Sequence, residues 1–559
     1  MKIYHWLLSL LIFVLYSDIL FSQDDIYQGW VACFENARVN AMEMDLFGNI
    51  YLVGKCKDDL LVAKYNKDGQ LLWNSTYNGA NNGADEGYDI IIDNAGYVTV
   101  TGFSEEIFIN ITIDEMITRI DTIANIDIIT IQYNSDGDEM WKSIYNSYSN
   151  KPDEGKAIAK DNFGNIYIAG NSYDQYHPSW RKNIILIKYD SHGYKNFTQS
   201  YNHLEIGGYY SGPEPKPLIN DYTNDMEVKS NSVYLLGTSQ TGKHTGTIIK
   251  YNTEDYGKRL WYRQIDRVTT MTDMGIDEHG NIFVSGYGSY KSGSYDYVIA
   301  KYDTSGNEKW IKSYSGKMNS DDACYSLDFD TTGSVYVTGY TLNNISVSDI
   351  TTIKYDSIGN QQWVRNYSGN SFITRWDNVG NKVICDKSNS IYVAGRVRNM
   401  ETGYDFALIK YDTSGDLQLS KCYNYKEDSN DAISDIKIYE DYIYVTGNCD
   451  NNIVTIKYTQ KPPEINNEIQ NEYDFVLYQN YPNPFNESTV IRYNLKNDSF
   501  VELNLFNLKG ELIKKLFSGY QLAGTHDVNL NDVNITSGLY CYSLVTENYQ
   551  EIKKCLLLK

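Results

Sequence analysis

The stretch that decides the fold is Asp161-Asn162-Phe163-Gly164-Asn165-Ile166-Tyr167-Ile168-Ala169-Gly170. An aspartate and a glycine three residues later mark a tight turn: the carboxylate closes the turn onto the backbone, and the glycine takes the positive φ it needs. The Ile-Tyr-Ile-Ala strand that follows is apolar or semi-polar on both faces, so it must be covered on both sides. The same pattern returns at Asp45 to Gly54, Asp93 to Gly102, Asp277 to Gly286, Asp330 to Gly339 and Asp386 to Gly395, with weaker copies ending at Gly237 and Gly447.

A second half-motif follows each first half. It is a Lys-Tyr-Asp strand end, a glycine turn and then a tryptophan, as in Lys301-Tyr302-Asp303, Gly306 and Trp310. The tyrosines of that strand are Tyr65, Tyr133, Tyr189, Tyr251, Tyr302, Tyr355, Tyr411 and Tyr458, about 56 residues apart, a period of propellers and related arrays. Each unit reads as four short strands, A to D. The fourth strand lies around Trp73, Trp141, Phe197, Trp261, Trp310, Trp363 and Leu419, while the eighth unit stops at its third strand. An orphan strand at Trp30-Val31-Ala32-Cys33 precedes the first unit and is expected to complete the last, sealing two edges. The expected fold is therefore all-β: an eight-bladed β-propeller closed by an N-terminal strand, with seven blades or an open β-array as alternatives. Over residues 26 to 459 the Gly-Asn-Ile-Tyr and Lys-Tyr-Asp-x-x-Gly motifs resemble the SBBP-type bacterial β-propeller repeat, a family often named for seven blades.

The two ends read differently. Lys2 followed by the apolar run Trp6 to Tyr16 predicts a signal peptide over residues 1–22, the run being too short to span a bilayer. Residues 23–459 are then the propeller, and residues 460–472, with two prolines and three glutamates, an exposed linker. Residues 473–559 carry short alternating strands at Val490 to Leu495, Val501 to Phe506, Tyr540 to Val545 and Ile552 to Leu558, which predict a small C-terminal β-sandwich. This segment opens with Asn480-Tyr481-Pro482-Asn483-Pro484-Phe485-Asn486. It continues through Phe506-Asn507-Leu508-Lys509-Gly510, Gly524-Thr525-His526 and Ser537-Gly538-Leu539-Tyr540. In that order the landmarks resemble the type A sorting domain of the type IX secretion system. The resemblance implies signal-peptide-dependent export in a Bacteroidetes-type bacterium, engagement of the secretion machinery, and a secreted or outer-membrane-surface location.

Composition limits the function. The formal charge of −23 over 559 residues disfavours a protein that grips nucleic acid through its phosphates. Eight cysteines are too few for a disulfide scaffold, although Cys541 and Cys555 flank a predicted turn and are expected to face each other across two antiparallel strands. No cofactor is expected, and no membrane span in the mature chain.

In an up-and-down blade the A–B and C–D turns emerge on one face and the B–C and D–A loops on the other. Length varies on the second face, with an insert at Phe103 to Ile126 and a long connection from Tyr201 to Asp221. Repeat proteins place recognition in such departures. The ligand-binding candidates are Tyr173, Tyr176, His177, Trp180, Tyr209 and Tyr210, with Trp376 farther round. Their aromatic rings suit sugar stacking or a protein partner, or cover the inserts' own small cores. Aspartates near the start of strand A (Asp85, Asp153, Asp221, Asp322, Asp377 and Asp431) either offer oxygen ligands to a divalent cation or cap their own loops. Asn134 to Asp138 lacks the terminal glutamate of a calcium loop. The histidines show no metal spacing and no nucleophile motif accompanies them. A glycan- or protein-binding protein is thus expected, with an extracellular polysaccharide hydrolase or lyase, or a structural adhesive protein, as alternatives.

Overall fold

The computed structural model describes residues 27–459 and 475–558, apart from 115–116, 148–150, 174–180, 203–219, 241–243, 267, 290–293, 318–319, 345–346, 370–375, 400, 427–428, 487, 508–510, 532–534 and 547–549. The expected signal peptide and linker lie outside them. The chain forms two compact units, one of Cys33–Thr455 and one of Ile456 onward with the short stretch ending at Ala32. Among the described residues no helix is long and apolar enough to cross a membrane.

The first unit is all-β, built from four-stranded antiparallel sheets whose spatial order follows the sequence. Sheets 1 to 7 begin with the strands Ala37–Met44, Asp85–Ile92, Glu154–Lys160, Asn220–Lys229, Thr270–Ile276, Ala323–Phe329 and Val379–Cys385. Sheet 8 begins with Ser429–Tyr439, and its hydrogen-bonded order continues through Tyr442–Cys449 and Asn452–Thr459 to Tyr27–Phe34. A two-residue parallel bridge, Gly403-Tyr404 to Ser429-Asn430, joins sheets 7 and 8. The expected insert at Phe103 to Ile126 is not a separate loop. Val98–Asp114 and Ile117–Tyr133 stay paired without a break out to Asp114 opposite Ile117.

Each part of the repeat has a structural task. In sheet 3, Asp161 Oδ1 accepts the backbone N–H groups of Phe163 and Asn165, both at 2.9 Å. Its Oδ2 accepts Asn165 Nδ2 at 2.7 Å and the Tyr167 hydroxyl at 2.9 Å. The Asp, the Asn and the Tyr of the motif are therefore one hydrogen-bonded unit around a left-handed glycine, Gly164. The same aspartate–tyrosine bond recurs at Asp45–Tyr51, Asp330–Tyr336 and Asp386–Tyr392.

The second half-motif joins neighbouring sheets. In sheet 6, Lys354 Nζ and the Trp363 indole N–H both donate to the Thr413 carbonyl in the turn of sheet 7, at 3.2 and 3.1 Å. The pair Lys64 and Trp73 holds Ser135 O, Lys250 and Trp261 hold Thr304 O, and Lys301 and Trp310 hold Ser357 O. The glycine of the gripped turn is required twice over. Gly415 has φ +79°, and a Cβ there would lie 2.7 Å from the Trp363 ring.

Sheets also bond through their first strands, which pack in sequence order, sheet 8 packing in turn against sheet 1. Asp435 Oδ2 accepts the Met42 N–H at 3.1 Å, Asn448 Oδ1 accepts the Val39 N–H at 2.8 Å, and Lys437 Nζ reaches Glu43 Oε2 at 2.9 Å. The first of these bonds spans 393 residues of chain.

In the second unit a three-stranded sheet (Phe475–Leu477, Ser488–Leu495, Gly524–Asn531) and a four-stranded sheet (Leu512–Gln521, Ser499–Asn507, Gly538–Val545, Gln550–Leu557) enclose one apolar core that includes Leu477, Phe485, Ile491, Leu503, Tyr542 and Leu557. Cys541 stands opposite Lys554, and Cys555 opposite Tyr540. The ladder is centred half a residue earlier than the symmetry of the two cysteines requires, so the thiols point to opposite faces and both are free.

Candidate functional site

Every first strand of the first unit carries a β-bulge near its middle. The residues that close the bulges are, in order, Ala41, Asp89, Ala157, Asp225, Asp273, Ser326, Lys382 and Asp435, each four positions before the turn aspartate in the six units that keep that motif. Bulges re-aim side chains, and here seven of the eight, all but that at Ser326, line a cavity of about 560 Å3 with carboxylates and amines.

The carboxylates have a defined bonding role. Asp89 Oδ2 accepts Ile158 N–H at 2.9 Å, Asp225 Oδ2 accepts Met274 N–H at 2.8 Å, and Asp273 Oδ2 accepts Leu327 N–H at 2.9 Å. In each case the donor belongs to the next sheet. Burial pushes the Asp89 carboxyl up to about 6 and, with Asp273 beside it, the Glu227 carboxyl up to about 7. Asp225 is raised well above the usual carboxylate range by burial, then by Asp273 and Glu227. Lys382 is the one amine at a bulge position. The field of Asp273, with Asp435, Asp225 and Asp89, holds its ammonium charged against the cost of burial. Sheet 7 thus supplies an internal counter-ion to the aspartates of four other sheets.

A second concave feature lies on the face of the B–C and D–A loops, where sheets 8 and 1 meet. Two adjoining cavities of about 680 and 350 Å3 share Asn36, Arg38 and Asn451. The B–C turns here are the two-residue connections Lys57-Asp58 and Asp450-Asn451. Their shortness cuts the loop face down to a groove.

Four of the six aspartates expected near the start of strand A cap their loops. Asp85 Oδ2 accepts the Gly79 N–H at 2.6 Å, Asp153 Oδ2 the Ser147 N–H at 2.6 Å, Asp322 Oδ2 the Gly316 N–H, and Asp431 Oδ2 the Tyr425 N–H at 2.9 Å. All four donors stand six residues upstream. Burial pushes the Asp322 carboxyl up to about 6, against the backbone donors that hold it down. Asp221 is likewise buried, and its carbonyl accepts Asn171 Nδ2 at 3.0 Å. In sheet 7 the corresponding place belongs to Asn378, whose Oδ1 accepts Arg398 N–H as Asp322 Oδ1 accepts Leu342 N–H. Asp377 and Trp376 instead form a two-residue strand parallel to Val347-Ser348. Among the described residues no group of three or more His, Cys, Asp or Glu side chains is placed to hold a metal ion.

Of the aromatic candidates, Tyr173 is half-buried at the end of its strand, with Lys182 Nζ 5.7 Å from the ring centroid. Tyr176, His177, Trp180, Tyr209 and Tyr210 lie outside the described residues. Among the described residues the propeller-like unit's histidines are apart: His192 sits on a turn beside Ser191, His244 bonds the Thr269 carbonyl, and His279 lies on the Asp277 turn.

In the C-terminal unit the Asn480–Asn486 motif fastens the chain end. Asn480 N–H donates to the Tyr542 hydroxyl at 2.6 Å, and Asn480 Nδ2 donates to Pro482 O and Thr489 Oγ1. Asn483 Oδ1 accepts the Leu556 N–H, and Phe485 is buried beside the last strand with backbone bonds to Leu556 and Leu558. Residues 479–558 match the family model of the secretion system C-terminal sorting domain. This segment is a type IX sorting domain. It implies secretion through the type IX system, contact with that machinery, and export to the cell surface or outer-membrane region.

No curated protein sequence matches the chain. Among solved structures, a protein of unknown function from Bacteroides caccae aligns at 10% identity and TM-score 0.29, over 57% of this chain and 93% of its own. PorZ, described as an essential bacterial surface component of the type-IX secretion system of Porphyromonas gingivalis, aligns at 11% identity and TM-score 0.27, over 93% and 75%. The WD40 domain of SCAP from fission yeast aligns at 9% identity and TM-score 0.41, over 79% and 99%. Likenesses this loose carry no weight for function.

Proposed function

We propose that the chain is a type IX cargo whose body is an eight-bladed β-propeller of the SBBP repeat type, and that it binds an extracellular glycan or protein through its B–C and D–A loop face. In this reading residues 1–22 are a signal peptide, residues 23–459 the propeller and residues 460–472 a linker, with Tyr27–Phe34 serving as the fourth strand of the last blade. The observation that carries the ring is the bond from Met42 N–H to Asp435, which links the first and last sheets of the series. The sorting domain supports an extracellular setting. Binding is favoured over catalysis because the turn face is uniform, its recurrent aspartates closing their own turns and its Lys and Trp pairs bonding the next sheet, whereas the loop face departs from the repeat. Tyr173, Tyr176, His177, Trp180, Tyr209, Tyr210 and Trp376 are the proposed aromatic contacts of that face.

The test is retention of the purified chain on immobilised glycans and proteins, with release of reducing ends measured in parallel. Saturable retention without product supports the reading. Turnover of a polysaccharide, or retention on nothing, contradicts it.

A further inference from the structure

We propose that the groove between sheets 8 and 1 binds a carboxylated saccharide, its uronate group held by Arg38 and Lys57 and its hydroxyls by the side-chain amides of Asn36, Asn430, Asn451 and Asn452. This rests on the ligand-binding reading of the loop face and names its ligand.

The charge of the groove runs against that of the chain. The protein carries −23, yet four cations, Arg38, Lys55, Lys57 and Lys426, line the two cavities against Asp58 and Asp450. Lys55 is satisfied by Glu86 at 3.5 Å and Lys426 by Asp450 at 3.9 Å. Among the described residues neither Arg38 nor Lys57 is paired with a carboxylate; Arg38 Nη2 has only the Asn451 amide oxygen, at 3.4 Å. A guanidinium with an amide as its partner is ready for a carboxylate from outside, which it binds in a planar two-point fashion.

The rim suits hydroxyl groups. A carboxamide offers both a donor pair and an acceptor, the combination that reads vicinal hydroxyls. Asn36, Asn430 and Asn451 are exposed and Asn452 half-buried. A fifth amide, Asn448, forms the floor and is spent there, with Nδ2 on Val39 O and Ser434 Oγ.

The rim is also held in place before any ligand arrives. Lys57 N–H donates to Asn36 O at 3.1 Å and Ala37 N–H to Asn451 O at 2.8 Å. Asn36 N–H donates to Asn452 Oδ1 and Asn430 N–H to Asp450 Oδ1, both at 3.2 Å. Asn36, Lys57 and Asp450 all sit at positive φ, between 54° and 57°. Non-glycine residues in that region persist where the surroundings impose it, here the tight turns that hold the rim. The larger cavity, about 680 Å3, lies in the range of small-ligand sites.

The test titrates the full chain with trigalacturonate and with its methyl ester by calorimetry. The acid form should bind at least tenfold more tightly than the ester and weaken as salt rises. Arg38→Gln and Lys57→Asn, the latter keeping a residue that tolerates positive φ, should each weaken binding of the acid at least tenfold while leaving the melting temperature unchanged. Equal affinity for acid and ester, indifference to both substitutions, or preference for a sulfated oligosaccharide overturns the proposal. Should the chain ignore trigalacturonate but retain a neutral glycan or a protein, this inference fails and the binding reading stands; retention of no ligand of any class defeats both.

Discussion

Asp161 shows how much one residue of this repeat does. Its carboxylate takes two backbone N–H groups, an amide and a buried tyrosine hydroxyl. Asp161→Ala strands the Tyr167 hydroxyl and opens the turn, and should cost about 1–3 kcal/mol, measured by urea unfolding. Lys382 is the opposite case, a residue that breaks the pattern. Removing its charge in Lys382→Met takes the counter-ion from Asp225 and Asp273 and leaves Asp89 and Asp435 with Lys437 alone. The loss should reach about 3 kcal/mol at pH 8 and shrink at pH 5, below the value of about 6 to which burial raises Asp89. An equal loss at both pH values would show that Lys382 contributes by packing alone.

Strands and turns in this chain answer to their neighbours as much as to their own sequence. Trp363 from sheet 6 stacks over Gly415 and donates to Thr413, both in sheet 7. Trp363→Ala removes a large buried ring as well as the inter-sheet bond and should destabilise by about 3–5 kcal/mol in denaturant titration. Gly415→Ala should act from the other side, through its positive φ and its closeness to the same ring. The Asp-x-x-Gly and Lys-Tyr-Asp-x-x-Gly-x-x-x-Trp patterns were legible because one residue type recurs at each position. The bulge ring was not. Its position holds Ala, Asp, Ser or Lys from one unit to the next, so the shared feature is backbone geometry four residues before the turn, which residue identity does not announce. Placing the cap of sheet 7 at Asp377 rather than Asn378 has a similar origin, two adjacent polar residues in a strand start of uneven length. The groove at the seam is not legible in the sequence because it is made by short turns, whereas length variation marks only the long ones.

At the scale of the whole molecule, the interior carries a titratable load. Asp89 and Asp328 are raised to about 6 and Glu227 to about 7, all chiefly by burial. Each has a folded pKa above its unfolded value, so the folded chain holds protons that the unfolded chain releases between about pH 4 and 7. Their contribution is present in full below the unfolded pKa and is lost as pH rises through 6 and 7. The melting temperature should therefore be higher near pH 5 than near pH 8; a curve that rises over this interval would contradict the burial of these groups.

Closure of the proposed propeller is what the rest depends on, and Glu43 with Lys437 tests it most directly. The two side chains meet at 2.9 Å although 394 residues separate them in sequence. A double-mutant cycle by chemical denaturation, using Glu43→Lys, Lys437→Glu and the charge-swapped double variant, measures their coupling. A closed ring predicts that the double variant recovers stability lost by either single one, with a coupling of about 1 kcal/mol for a partly exposed pair. Strict additivity of the two losses would mean that the first and last sheets do not meet.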